Sequence, residues 1–299
     1  LRSKGKYGCE KWGRQLDLVI VYNNNADTQQ ARFNRNTMTT NNPDLSLSLR
    51  GEHAEVAVIT LNRATKRNAL NDGLILAIRD VFQNLPKSVR AAVVNGNGDH
   101  FCAGLDLSEL SERDAGEGIH HSRSWHVALN AVEQGRVPVV AALHGAVVGG
   151  GLELASASHI RVADESTFYA LPEGTRGIFV GGGGSVRVPK LIGAARMTDM
   201  MLTGRVYNAQ DGERVGLAQY LVPTGTALAK AIELATRIAT NAPLTNFALT
   251  HALPRIAEQP ADHGLFTEAL MASIAQSAPE AKARVRAFLE GKAAKVQKG

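Results

Sequence analysis

The chain has 299 residues, 44% of them hydrophobic, which is enough to build one large domain or two smaller ones around a packed core. Its 33 basic and 28 acidic residues leave a formal charge of +5 with no dense basic block in the central part, a balance that suits an anionic small molecule as well as nucleic acid. Two distant cysteines, Cys9 and Cys102, argue against a disulfide framework or a metal site, no run approaches the ~20 apolar residues of a membrane span, and the first residues lack the apolar stretch of a secretory signal, so the expectation is a soluble cytoplasmic protein without metal.

Residues 1–45 differ from the rest. "YNNNADTQQARFNRNTMTTNNPD" is rich in Asn, Thr and Gln and has too little apolar surface to offset the entropy of ordering, so it reads as a flexible polar extension. Met38 stands where this stretch gives way to "LSLSLRGEHAEVAVITLNR". It is read as a natural start, with the residues before it an addition. A genuine floppy terminus is the other reading, and the intact mass of the native protein separates the two.

From there the punctuation is regular. "VAVITLN" (56–62) and "AAVVNG" (91–96) are short β-branched runs bounded by polar or glycine residues, the pattern of buried strands. Between them, Leu74, Ile78, Val81 and Leu85 recur at three- and four-residue intervals, which predicts an amphipathic helix over 71–85. A second helix is predicted over His120–Gln134 and a strand over 137–145. Strands alternating with helices imply parallel pairing in an α/β layer. After Val222 the β signal fades and the chain reads as helical to its end. The division expected is an α/β core over 46–222 and a helical region over 223–299, which either covers the sheet or packs on other copies.

Three stretches carry chemistry. "HGAVVGGGLELASAS" (144–158) puts Gly149, Gly150 and Gly151 at the opening of a helix. Glycine permits close approach, and the first helical N–H groups lack intrahelical acceptors, so the turn favours a phosphate or a developing oxyanion. "GNGDHFCAGLDLSEL" (96–110) is a second glycine-containing loop at a strand end, the usual ligand position of α/β sheets. In "FYALPEGTRGIFVGGGGSVRVPKLIG" (168–193), Glu173 lies between Pro172 and Gly174 in a constrained segment. If it shares a pocket with Glu153, the two carboxylates divide acid and base work, burial setting one pKa apart from the other; otherwise both are surface charges.

Taken in order, "FCAGLDLSEL", "HGAVVGGGLELA", "FYALPEGTRGIFVGGGGSVRVPKLIG" and "LTGRVYNAQDGERVGLAQYLVP" resemble the crotonase superfamily, the enoyl-CoA hydratase/isomerase family, from about Leu47 to the C-terminus. The resemblance implies a spiral of ββα units with C-terminal helices that build homotrimers, often paired into hexamers. It implies an acyl-CoA thioester as substrate, with CoA a part of that substrate and no separate cofactor. The thioester oxygen would be held by the N–H groups of Ala103 and Gly150. Hydratases of the family use two glutamates, which match Glu153 and Glu173, the first mainly on water and the second on the α-proton. CoA contacts would fall on Lys66, Arg67, Ala69, Leu105, Asp106 and Lys292.

Two positions depart from the family pattern. Val180 and Gly181–Gly184 replace a Pro-Gly-x-Gly-Gly run, which suggests a looser loop, and Ser158-His159 replaces Cys-Asp. His159 is read as packed rather than catalytic. Enoyl-CoA hydration is the leading reading. Another acyl-CoA reaction on the same scaffold, such as 3,2-isomerisation, decarboxylation or hydrolysis, is the alternative. A non-catalytic RNA-binding role is a third, and it lacks a basic stripe with interleaved aromatics, so neither nucleic acid nor membrane is an expected partner.

Overall fold

The computed structural model describes residues 36–38, 40, 42–109 and 113–292. Residues 1–35 of the polar extension, with Cys9, lie outside the described residues. Strand β1 (Asn36–Met38) pairs antiparallel with β2 (Leu45–Arg50), so the sheet takes in residues that composition assigned to the extension. Backbone pairing needs no apolar side chain, which is why composition alone gave no sign of it.

β2 pairs antiparallel with β3 (Val56–Leu61), and then the parallel run begins with β4 (Ala91–Gly96). Helix α1 (Asp72–Gln83) crosses from β3 to β4, and its Asn71 cap accepts the Leu74 N–H. Helix α2 (Ala115–Glu133) starts at Ala115 rather than at His120. Asp114 accepts the Glu117 N–H while the Glu117 carboxylate accepts the Asp114 N–H, a reciprocal cap that holds a first turn containing Gly116 and Gly118. Strand β5 (Val139–Leu143) follows, then the short β6 (Ala146–Val148), α3 (Gly150–Ala157), β7 (Ile160–Asp164) and β8 (Phe168–Ala170).

Beyond β8 come α4 (Gly184–Ile192), α5 (Ala194–Thr203), β9 (Tyr207–Asn208), α6 (Ala209–Val215) and β10 (Tyr220–Val222). The larger sheet has seven strands in the order β1-β2-β3-β4-β5-β7-β10; the smaller has three, β6-β8-β9. In the larger sheet both faces are covered. Ala57, Ile59, Ala92, Val94, Ala141 and Leu143 belong to the main core, while the alternate residues Val58, Ala91, Val93, Val140, Ala142 and Val162 pack under α7 (Ala227–Ala239). Strands covered on both faces carry continuous apolar runs rather than alternation, as "AAVV" does.

Helix α7 presents Ala227, Ala231, Ala235 and Ala239 to the sheet, small residues that let its backbone come close. The sequence division at 222 therefore separates α7 from the layer it covers. The later helices, α8 (Pro243–Phe247), α9 (Leu253–Ile256), α10 (Ala261–Ser277) and α11 (Pro279–Leu289), leave Leu265, Phe266, Leu270, Phe288 and Leu289 exposed.

Candidate active site

Two loops at the ends of parallel strands meet through bare backbone. The chain leaving β4 is anchored by Asn68, whose buried side chain donates to the carbonyls of Asn97 and His100. It then runs beside β6, with Cys102 N–H bonded to Ala146 O and Val148 N–H bonded to Cys102 O. Gly104 has φ +96°, and a Cβ there would stand 2.8 Å from Val148 O and 3.4 Å from Gly150 N. At Gly151 a Cβ would lie 2.3 Å from Cys102 O. Glycine at these positions is what lets the two backbones touch.

The touching places the amide of Gly150, the first residue of α3, close to the amide of Leu105: a Cβ on Gly150 would be 3.6 Å from Leu105 N. The oxyanion assignment to Ala103 is corrected here. Ala103 N–H donates to Arg67 O at 2.9 Å, so it is taken up by the neighbouring loop, whereas among the described residues the Leu105 N–H has no acceptor. The reason is a small parallel bridge, Leu70 to Leu105, in which Gly104 O and Asp106 N–H bond to Leu70 and turn the Leu105 amide the other way.

Glu153 lies in the first turn of α3 and is 3% exposed. Its Oε1 accepts N–H bonds from Gly182 and Gly184, each at 2.8 Å. Burial drives its pKa up, against those two bonds and the Arg187 charge, which lower it. Glu173 reaches the same turn by another route. The β6–β8 pairing puts Ala170 against Val148, and Gly149 N–H donates to Ala170 O, so the chain three residues on passes over Gly149. There a Cβ on Gly149 would fall 2.6 Å from Glu173 Oε1.

Glu173 is 8% exposed and its Oε2 is buried without a hydrogen-bond partner. Burial, with the charge of Glu153 adding to it and Arg176 opposing, pushes its pKa up to about 7. Folding thus binds this proton more tightly than the unfolded chain does. The associated stability is complete below the ordinary carboxylate range and is lost as pH rises through about 7. Two carboxyl groups that feel each other's charge, beside two amides free to donate, make a site for general acid–base chemistry on a carbonyl compound.

The sequence profile of the family described as "Enoyl-CoA hydratase/isomerase" matches residues 51–298. The chain belongs to the enoyl-CoA hydratase/isomerase family. Its fold is that of the crotonase superfamily. This family member is similar to the enoyl-CoA hydratase EchA19 of Mycobacterium tuberculosis, 29% identical over 260 residues, 85% of this chain and 97% of the relative. It is 31% identical to the 2,3-dehydroadipyl-CoA hydratase of Escherichia coli over 79% of this chain and 92% of the relative. A crystal structure from Rhodopseudomonas palustris, provisionally assigned as an enoyl-CoA hydratase, superposes with a TM-score of 0.82 at 59% identity, covering 85% of this chain and 98% of that one.

The remaining expected contacts of this family member divide. Asp106 is buried; Arg63 Nη2 donates to it at 2.9 Å and Ser108 Oγ at 2.6 Å. The Ser108 bonds, more than Arg63, hold its pKa down at about 2. It is thus a tie between two loops, and Arg63, which also donates to Ala69 O and pairs with Asp44, is the residue that makes the tie. Lys66 lies at this tie, 3.9 Å from Asp106 and half exposed, and Arg67 contributes its carbonyl to Ala103. Lys292 is exposed and paired with Glu290 at 2.8 Å on the last described turn.

The glycine run Gly181–Gly184 is held at several points rather than loose. Ser122 Oγ donates to Gly181 O, and Arg187 donates to Gly182 O at 3.0 Å, to Asn130 Oδ1 at 2.6 Å and to Glu133 Oε2 at 2.8 Å. Sequence reasoning missed Arg187, since a single arginine on an amphipathic helix has no local mark; its meaning comes from α2 lying opposite. Arg187→Met is expected to leave three acceptors unpaired and to lower Tm by about 4–8 °C, the shift for ~2 kcal/mol in a chain of this size, measured by thermal unfolding.

His159 is a packed residue: its Nδ1 accepts the Val139 N–H at 3.0 Å, and burial lowers its pKa to about 4. It lines a cavity of about 520 Å³ at the C-terminal end of α3, bounded also by Arg161, Asn246 and Glu258, which neither Glu153 nor Glu173 touches. Among the described residues no group of three or more His, Cys, Asp or Glu is placed to hold a metal, and no helix is long and apolar enough to cross a membrane. Cys102 is buried, and its thiol pKa is pushed up to about 12 by that burial, so it is not a nucleophile at neutral pH.

Proposed function

We propose that this protein is an enoyl-CoA hydratase, adding water across the 2,3 double bond of an enoyl-CoA thioester to give the 3-hydroxyacyl-CoA. The observation that carries the reading is the pair of buried, unequally held carboxyl groups, Glu153 and Glu173, at one turn with the Leu105 and Gly150 amides. Glu153, whose carboxylate form two backbone N–H groups hold in place, takes a proton from water. The water oxygen bonds to C3 and the π electrons move to the thioester oxygen, where the two amides hold the developing charge. Glu173, whose pKa burial pushes up to about 7, acts in its protonated form and delivers that proton to C2.

Hydration starts with one proton on the pair and ends with one proton on the pair, so the singly protonated pair is the active form in both directions. The kcat/KM profile for hydration is therefore expected to be bell-shaped, with an alkaline limb near pH 7 as Glu173 loses its proton. A profile flat from neutral to alkaline pH would remove Glu173 from the acid role. For CoA, the side chains of Lys66 and Arg67 supply positive charge beside the Leu105 loop for the nucleotide phosphates.

The direct test is crotonyl-CoA hydration followed by loss of enoyl-thioester absorbance. No turnover with any 2-enoyl-CoA, or a preference for 3-enoyl-CoA that depends on Glu173 alone, would replace hydration by isomerisation or another reaction of the family. The reading includes assembly into trimers through the C-terminal helices, which the exposure of Leu265, Phe266, Leu270, Phe288 and Leu289 supports. Sedimentation velocity is expected to give a trimer or a pair of trimers, and a monomer at micromolar concentration would end it.

A further inference from the structure

We propose that Trp125 is the specificity-determining wall of the acyl pocket, restricting this enzyme to short-chain enoyl thioesters; the inference rests on the hydration reading. Trp125 lies on α2 and is 4% exposed. Its indole N–H donates to Asp72 Oδ1 at 3.2 Å, and His121 bonds the same oxygen at 2.7 Å. That anchor at the start of α1 fixes the ring plane.

The opposite edge of the ring faces the reaction turn. A Cβ on Gly150 would be 3.1 Å from Trp125 Cζ3, and one on Gly182 would be 3.2 Å from Trp125 Cε3. The same point at Gly182 is 3.1 Å from Glu153 Oε2. The indole therefore lies against the glycine whose amide takes the thioester oxygen and against the glycine that holds Glu153. A thioester bound with its oxygen at Leu105 and Gly150 and its C3 at Glu153 directs C4 and the carbons after it along this ring. An acyl tail of a few carbons gains van der Waals contact with the six-membered ring of the indole. A longer one has to displace a buried, hydrogen-bonded aromatic side chain.

The test compares kcat/KM for 2-decenoyl-CoA with that for crotonyl-CoA. Wild type is expected to prefer crotonyl-CoA, and Trp125→Ala to raise the ratio of long to short substrate by ~10-fold or more. Trp125→Leu, which keeps an apolar side chain in the space, is expected to give a smaller rise and serves if the alanine variant fails to fold. A second readout needs no turnover. The chain has two tryptophans, Trp12 and Trp125, so in a Trp12→Phe background the emission reports Trp125 alone. Unreactive butyryl-CoA is expected to shift it, and CoA without an acyl group to leave it unchanged. A ratio unmoved in folded variants, or an emission blind to bound butyryl-CoA, overturns the proposal. Failure of wild type on every enoyl-CoA, with the emission shift intact, would instead overturn hydration and leave the acyl wall standing.

Discussion

Glu153→Gln and Glu173→Gln are each expected to lower turnover on crotonyl-CoA by about 10²–10⁴-fold, the range for removal of a positioned acid or base. The two losses should separate from stability in different ways. A glutamine in place of Glu153 keeps an oxygen for the Gly182 and Gly184 N–H groups that now hold Oε1, so the fold should be intact while the base is gone. At position 173 the wild-type carboxyl has a pKa of about 7 and a buried Oε2 with no partner. Glutamine there never ionises, so Tm above neutral pH is expected to hold or rise as activity falls. Parallel measurement of kcat and Tm at alkaline pH checks both, and a Glu173→Gln variant with near wild-type turnover would remove the proton donor from the mechanism.

Gly104→Ala is the second large effect expected. Gly104 needs φ +96°, and its added methyl would stand 2.8 Å from Val148 O and 3.4 Å from Gly150 N. The Cys102–Asp106 loop and the start of α3 would have to part, which would turn one amide away from the position proposed for the thioester oxygen. Removal of one such donor costs about 10²–10³-fold in kcat, or about 2.7–4 kcal/mol. Gly193→Ala is the control: it carries a similar strain, φ +81°, but a Cβ there meets nothing within 4 Å. It should lose stability without a matching loss of turnover. Equal kcat in the two variants would show that the close approach at Gly104 has no part in the chemistry.

The elements differ in how far they could be read along the chain. α1 and β3–β5 were legible because burial writes itself into local spacing: Leu74 and Ile78 face the core, and "AAVV" is apolar throughout because α7 covers its second face. β1 was not legible, since its pairing with β2 uses backbone groups that every residue carries. The first turn of α2 was hidden by Gly116 and Gly118 and is held by the Asp114–Glu117 cap.

At the site, Glu173 stood out by its constrained place between Pro172 and Gly174, and the family resemblance joined it to Glu153. Leu105 could not be told from Ala103 in the same way. Both lie in one loop, and only the bond from Ala103 N–H to Arg67 O decides which amide is already engaged.

What the sequence by itself determined was the family and the α/β architecture, and it marked two carboxylates as candidates; all of these rest on residue type and near-neighbour spacing. Tertiary structure alone decided which of the two loop amides is left without an acceptor, that burial pushes the Glu173 pKa up to about 7, that α2 holds Arg187, and that Trp125 packs against Gly150 and Gly182. The physical reason is that hydrogen-bond direction, desolvation and close packing depend on groups tens of residues away, and a one-dimensional pattern carries no record of which of them meet.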